Sequence, residues 1–290
     1  MSTETVLRSS GVYTTILGAL NQFQAFTNLE YASMNNTTLN YKYASAEGTS
    51  GVVNPRNPPT QPTLAYFGIG TLGFINVGDH SSVPYPGDAR MMDLYAPMPI
   101  RCVRVSEENS VLPAEERNKY RLRVVKHIDG EAYALYYLKA IEFTRKIQVL
   151  KKDTDGAESE YIFDSGDLYP QPPAINQTGG LIDTTVNRII VRATGVCEIS
   201  HEEIMEAVNV LYNGDLNYTK ISEIGYYTGC DIDVDADWQP VEDGAGVFKE
   251  AVYVQLAKGH CYRGSELSTP NSYVNPVVTL ESESCINGIV

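Results

Sequence analysis

The chain has 290 residues, enough for one large domain or two small ones, with 43% hydrophobic and 20% charged residues as in ordinary folded proteins. Its formal net charge of −14 argues against nonspecific binding to nucleic acid or an anionic membrane, because the phosphate term needs Lys and Arg. Five cysteines (Cys102, Cys197, Cys230, Cys261 and Cys285) stand far apart with no C-x-x-C, which excludes a zinc ribbon, a thioredoxin motif and a dense disulfide framework and leaves reduced thiols as the expectation, with one or two bridges as the alternative.

The opening MSTETVLRSSGVYTTILGALNQFQ carries Glu4 ahead of a short, interrupted apolar run, unlike a secretory leader. No stretch approaches the ~20 apolar residues of a membrane span, so a soluble protein made in the cytoplasm is expected, without membrane insertion. Ile16, Leu17, Leu20 and Phe23 fall at helical spacing behind Thr14 and Thr15, which predicts a capped helix from Thr15 to Phe26. Asn35 to Pro62 is polar and rich in Asn, Thr, Gly and Pro, and reads as a long loop.

AYFGIGTLGF comes next, and Gly68, Gly70 and Gly73 spell G-x-G-x-x-G behind an apolar run. A dinucleotide site of that type needs a helix directly after the glycines to hold the pyrophosphate. The next residues, FINVGDHSSVPYPGD, have two glycines, two prolines and no apolar stripe, so no helix can start there. The motif is expected to be a glycine-bearing strand or bulge with no cofactor.

His80 to Pro99, with four prolines, is a second irregular region. LPAEERNKY (Leu112 to Tyr120) reads as a helical turn with Pro113 near its start. RLRVVKHIDGEAYALYYLKAIEF then places Asp129-Gly130 between two β-rich runs, the mark of a two-residue hairpin loop. Pairing outward sets Val124 against Leu135, Leu122 against Tyr137 and Arg123 against Tyr136. Strands are predicted for Ile147 to Lys151 and Ser159 to Phe163, joined through Asp155-Gly156, and for Arg188 to Ile199. Asp164 to Gly180 is a third long loop, and a subdivision of an otherwise single structural domain is placed near 164–183. Ser200-His201-Glu202-Glu203 is a capping box opening a helix with Ile204, Val208 and Leu211 on one face, closed by Asn213-Gly214. Phe248 to Tyr262 and Pro276 to Ser282 supply the last strands. The fold class is α+β, strand-dominated and mostly antiparallel, with a few short helices and long loops.

The chemistry is thin. CDIDVDADWQPVE places Asp231, Asp233, Asp235 and Glu242 near calcium-loop spacing, but Ala236 stands where the sharp turn wants Gly, Pro240 interrupts, and no helices flank it. A simpler reading is an edge strand with Ile232 and Val234 inward and the carboxylates outward. His201-Glu202-x-x-Met205 lacks the second histidine of a zinc helix. His80, His127 and His260 stand apart. No nucleophile elbow or P-loop occurs, and the single Trp238 without an aromatic-basic interleave argues against a specific nucleic-acid surface. No enzyme and no cofactor are expected.

Charge and tyrosine are unevenly used. Residues 101–152 carry 12 basic and 7 acidic side chains, and residues 153–290 carry 6 basic and 23 acidic, which fits either complementary surfaces, within the fold or between subunits, or simply solvated faces. Tyr outnumbers Phe 20 to 7, which suits half-buried sheet faces and contact surfaces.

Four pieces of the chain, ASMNNTTLNYKY, AYFGIGTLGF, the stretch from DLYAPMPIRCV to DGEAYALYYLKAIEF, and SEIGYYTGCD with EAVYVQLAKGHCYRGSELS, resemble virion structural proteins of tailed, contractile-tailed bacteriophages. They spread over about 240 residues and none is a chemical signature. The resemblance implies a non-enzymatic subunit of the virion, in the tail baseplate or, alternatively, the neck or head–tail connector. Its partners would be other virion proteins in a ring-arranged homo- and hetero-oligomer. On that reading the long loops reach neighbouring subunits, and the contact candidates are Arg56, Tyr85, Tyr95, Arg121, Arg123 and Tyr136. The reading from another class is a calcium-assisted surface-binding module using Asp231 to Glu242.

Overall fold

The computed structural model describes residues 12–27, 35–44, 53–77, 81–143, 147–153, 155–162, 188–242, 244, 246–267 and 269–285. The chain divides into two compact units, Met1–Ile141 with Cys197–Pro276 (unit 1) and Glu142–Val196 with Val277–Val290 (unit 2). The division thus falls at 141/142, 196/197 and 276/277, and the subdivision expected near 164–183 lies outside the described residues.

In chain order, unit 1 begins with β1 (Val12–Thr14), α1 (Ile16–Thr27), a 3-10 turn (Asn35–Thr37) and α2 (Leu39–Ala44). It continues with β2 (Thr63–Gly70), β3 (Phe74–Val77), β4 (Ser81–Pro84), β5 (Pro97–Met98), β6 (Arg101–Arg104), α3 (Glu108–Val111), α4 (Ala114–Arg117), β7 (Tyr120–Ile128) and β8 (Glu131–Ala140). Unit 2 then contributes β9 (Glu142–Phe143), β10 (Gln148–Lys152), β11 (Glu158–Glu160) and β12 (Arg188–Val196). The chain returns to unit 1 for β13 (Ile199–Ser200), α5 (His201–Tyr212), a 3-10 turn (Leu216–Thr219), β14 (Lys220–Val234), β15 (Phe248–Glu266) and β16 (Tyr273–Val274), and ends in unit 2 with β17 (Val277–Cys285). The protein is α+β, strand-dominated, with short helices, and every pairing between described strands is antiparallel.

The main sheet of unit 1 runs β1-β15-β14-β2-β8-β6, with β5 also on β2 and β7 also on β8. The hairpin turns at Asp129 (φ 51°) and Gly130 (φ 85°), and Val124 faces Leu135 and Arg123 faces Tyr136 as the turn chemistry dictates. Leu122 departs from its expected partnership with Tyr137. It takes φ 54°, and its N–H leaves the ladder. A left-handed residue here turns two successive N–H groups to the same side, a concavity suited to an anion. Glu250, on β15, fills it: Oε1 accepts from Leu122 N–H (2.6 Å) and Ala251 N–H (2.7 Å), and Oε2 from Arg123 N–H (3.0 Å). Asn118 Oδ1 accepts from Lys249 N–H beside it. The sheet has curled until β15 meets β7, and side chains close the line where a ladder would be.

β14 and β15 are the long central pair, 15 and 19 residues, bent by register shifts near Ile221, Tyr226 and Thr228. Residues 221–230 of β14 are all buried, so both faces are covered and no polar-apolar alternation marks the strand. The Asn35 to Pro62 segment, expected to be a loop throughout, contains α2 and folds back on this pair. Asn40 donates to Ala251 O and accepts from Val254 N–H. Asn54 accepts from Tyr253 N–H, and the Tyr253 hydroxyl donates to Pro55 O. These amides satisfy β15 backbone groups around Tyr253, which sits at φ 55°. Likewise β4 and β5 lie inside the His80 to Pro99 region expected to be irregular.

α1 matches the predicted helix, with Thr15 Oγ1 accepting from Gly18 N–H. Its apolar stripe does not face the sheet. Gly18 rests on the Ala257 backbone, too close for any side chain, and Asn21 donates to Thr228 Oγ1 (2.7 Å) and Gln255 Oε1 (3.0 Å). Ile16 and Phe23 are 52% and 69% exposed on the opposite side. α5 is conventional: Ser200 and Glu203 form the reciprocal capping box, Ile204 and Val208 are buried, and Asn213 closes it at φ 52°.

In unit 2 the order is β11-β10-β12-β17, with β9 also on β12. Arg192 of β12 reaches Glu281 (2.9 Å) on neighbouring β17 and, across β10, Glu158 (2.8 Å) on β11. The predicted Asp155-Gly156 turn joins β10 to β11, with Gly156 at φ 90°. The Asp164 to Gly180 loop lies outside the described residues.

Replacing Glu250 by Ala leaves Leu122 and Arg123 N–H buried without their acceptor, at about 1–3 kcal/mol for each unsatisfied group. Glu250→Ala should therefore lower the urea midpoint sharply and Glu250→Gln, which keeps one acceptor oxygen, less so. An alanine variant that unfolds at the parental midpoint refutes the seam's role.

Candidate functional site

The glycine motif lies on β2 and its exit, and no helix comes after it before β3. Its glycines make room for Ser222 and Glu223 of β14. A Cβ on Gly73 would overlap Ser222 O, and one on Gly70 would overlap the Glu223 carboxylate and stand 2.8 Å from Ala96 O. Gly68 lies against Leu138, Tyr137 O and the Tyr227 ring at 3.0–3.1 Å. Glu223 is wholly buried and its carboxylate accepts from Tyr95 N–H (2.8 Å), Ala96 N–H (3.0 Å) and Leu72 N–H (3.3 Å). Burial pushes its carboxyl above the usual glutamate range against the pull of those three donors. The anion cradled by this motif is one of the protein's own side chains.

The same device recurs with tyrosine. Asp93 accepts from Lys42 Nζ (2.6 Å), Tyr227 OH (2.9 Å), Tyr43 OH (3.4 Å) and Leu94 N–H (2.8 Å). Glu203 takes the Tyr120 hydroxyl and Lys139 Nζ (2.7 Å). Glu108 takes the Tyr136 hydroxyl, two bonds from Arg123 (2.8 and 2.7 Å) and lies 3.4 Å from Arg117. Above that group, Arg117 stacks on Phe248 (4.1 Å) and Trp238 (5.3 Å), and Arg123 on Trp238 (4.6 Å). Tyrosine serves where phenylalanine would leave a buried carboxylate unpaired, and burial beside these carboxylates holds the hydroxyls of Tyr43, Tyr120, Tyr136 and Tyr227 well above their ordinary pKa.

The residues singled out in the Asp-rich segment go separate ways. Asp231 accepts from Arg121 (2.8 and 2.9 Å) and from Tyr66 OH (2.6 Å). Asp233 is buried and holds Lys249 Nζ (3.0 Å) and Gly244 N–H (2.7 Å). Asp235 closes its own turn, accepting from Asp237 and Gln239 N–H, and Glu242 is exposed. Beyond Gly229, β14 runs in a ladder with β15 alone, so this end is a local edge; Val234 is buried and Asp231 stays exposed, as an edge strand requires, while pairing with Arg121, whereas Asp233 is buried on Lys249. Among the described residues, no group of three or more His, Cys, Asp or Glu has metal-holding geometry.

The contact candidates divide in the same way. Arg121 and Tyr136 are buried and Arg123 is mostly so, all three bound to carboxylates inside unit 1, which corrects their assignment as contact residues. Arg56 and Tyr95 are exposed, and Tyr85 is half-buried with its ring 5.3 Å from that of Tyr95. The basic segment is complemented from within: Arg101 pairs with Glu206, Arg121 with Asp231 and Lys139 with Glu203. His201 bonds Leu267 O, His127 is exposed, and burial lowers the His260 pKa and favours the neutral ring; His80 lies outside the described residues. Among the described residues, no helix is long and apolar enough to cross a membrane.

Glu223, Glu250 and Glu108 were not singled out by sequence reasoning. A signal exists for two of them: Glu223 in SEIGYY and Glu250 in FKEAVYV are lone carboxylates inside strand-like apolar runs, a place where a charge is kept only with partners.

Unit 1 is thus a curled antiparallel sheet of the α+β class whose interior carboxylates are tied to backbone N–H groups, tyrosines and arginines. The chain belongs to a family of unknown function, DUF7208, which matches residues 1–277. No curated protein and no solved structure matches it.

Gly73→Ala forces a Cβ against a backbone carbonyl that cannot move without its strand, so a loss of about 2 kcal/mol or more is expected in thermal or urea unfolding. Alanine at Gly73 with parental stability overturns this packing role.

Acid should act through Glu108. Burial raises its carboxyl, and Arg123, Tyr136 and Arg117 outweigh that, so it ends below the ordinary glutamate value. A folded pKa below the unfolded one means the unfolded chain binds more protons between them. The stabilisation is complete above about pH 5 and is lost as pH falls through the folded value. Glu108→Gln leaves Arg117 and Arg123 without their carboxylate and should cost about 3–5 kcal/mol near neutral pH while flattening the acid limb of stability against pH. An unchanged acid limb in this variant sinks the assignment.

Cys102, Cys197, Cys230 and Cys261 are free and buried, and burial pushes the thiols of Cys102 and Cys197 to about 12 and that of Cys261 to about 11. These four should react with a thiol reagent only on unfolding. Prompt labelling of the native chain at any of them, located by mass spectrometry, contradicts the burial.

Proposed function

We propose that the protein is a non-enzymatic structural subunit of a tailed-phage virion, assembling through protein–protein contacts in the tail or baseplate. A neck or head–tail connector position is the alternative within the same particle. The observation that carries this reading is the inverted polarity of α1. A helix that stands alone buries its apolar stripe. Here the inward side is Gly18 and Asn21, and Ile16 and Phe23 face outward. The β3–β4 hairpin adds Ile75 and Val83, each about half exposed and directly opposed, and Leu72 just ahead of β3 is also about half exposed. Apolar side chains presented on ordered elements suit a chain that meets neighbours.

The interior supports the non-enzymatic part. Glu108, Glu203, Glu223 and Glu250 are committed to backbone amides, tyrosines or cations, roles that hold strands together. Within Asn35 to Pro62, Asn40 and Asn54 are used on β15.

The test is fractionation of a lysate that is producing the particles. The protein should co-sediment with assembled tails and cross-link to other virion proteins. A protein confined to the soluble fraction, with no cross-links to particle components, overturns the proposal.

A further inference from the structure

We infer that the outward face of α1 is a self-association face, covered in the assembly by α1 of a second copy packed antiparallel across a two-fold axis. The inference rests on the assembly reading above and names the neighbour.

On a helical projection, Ile16, Leu20 and Phe23 share one sector, opposite Gly18 and Asn21. The helix cannot roll to bury that sector, because Gly18 sits on the β15 backbone and Asn21 is bonded to both Thr228 and Gln255. Ile16 N–H is further tied to Ala89 O. The stripe is therefore presented on a fixed support, so little ordering cost attaches to binding there.

Charge selects the occupant. The chain carries −14, so two copies repel over most of their surface. Ile16–Thr27, ILGALNQFQAFT, contains no Asp, Glu, Lys or Arg. It is a continuous twelve-residue stretch where two like-charged copies can approach without placing charge on charge. A basic partner would find no acid on this face. An uncharged apolar stripe is also its own complement under two-fold rotation. In an antiparallel pair centred near Leu20, Ile16 of one copy meets Phe23 of the other, and Gln24 and Thr27 rim the contact. Twelve residues give a helix about 18 Å long, and one such face covers less than the roughly 800 Å² per partner of a stable interface. The pair should be weak in solution, in the micromolar range, and be populated where the particle holds copies side by side.

The full chain should show concentration-dependent dimerisation in sedimentation velocity between about 1 and about 200 μM. Phe23→Asp should raise the dimer dissociation constant by about 30-fold or more while leaving the melting curve unchanged, since this side chain is exposed. Ile16→Asp provides the same arm independently. Leu20→Cys should form a disulfide-linked dimer on mild oxidation, and Gln22→Cys, exposed on another side of the helix, should not.

A parent chain that stays monomeric throughout, with no Leu20→Cys cross-link, overturns the inference. So does a dimer that both aspartate variants leave intact. If the aspartate variants still enter particles while the dimer persists, this inference fails and the assembly reading stands. If the parent never enters particles, the assembly reading fails whatever α1 does.

Discussion

A curled antiparallel sheet has to satisfy the backbone groups along the line where its far strands meet, and in unit 1 the Glu250 carboxylate does so. Three N–H groups converge on it, two of them brought to one side by the left-handed turn at Leu122. Much else depends on that closure. With β7 held beside β15, the α4–β7 region lies over Phe248, and Arg117 can stack there. The Glu108 group, with Arg123 and Tyr136, then sits under Trp238. A carboxylate at such a line specifies register more sharply than an apolar side chain would, because it is tolerable only where its donors are.

The same logic accounts for the composition. A net acidic chain that buries several carboxylates needs donors inside, and tyrosine supplies a donor on an apolar body. Tyr66, Tyr120, Tyr136 and Tyr227 are almost wholly buried, each with its hydroxyl on a carboxylate. Arg101, Arg121 and Lys139 serve acids of the later chain in the same way, so part of the charge asymmetry is internal.

The local elements were the legible ones. The Asp129-Gly130 hairpin, the Ser200 capping box and the Asn213 stop depend on residues within a few positions of each other, and they formed with the expected ends and, Leu122 apart, the expected register. The glycine motif was legible as strand because the glycines and prolines between Phe74 and Asp88 forbid a helix there. β14 was visible only at its Asp-rich end, because a strand buried on both faces shows no alternation. α1 lies where its pattern predicts but faces the other way: an apolar stripe implies burial, whereas Gly18 fits the Ala257 backbone and Asn21 the side chains of Thr228 and Gln255, all more than 200 residues away. Arg121, Arg123 and Tyr136 read as surface because their carboxylates lie on other elements, and α2 escapes detection because six residues among prolines and asparagines carry too short a pattern.

The interrupted course of unit 2 has a consequence in time. β12 pairs with β17 over nine residues, yet β17 is synthesised about 80 residues after β12. At roughly 5–20 residues per second, that side of β12 stands open for about 4–16 s during translation. Where many nascent copies are made close together, any of them offers a matching strand during that interval. Exchange of β17 between neighbours would leave every local contact unchanged and tie two chains into one body.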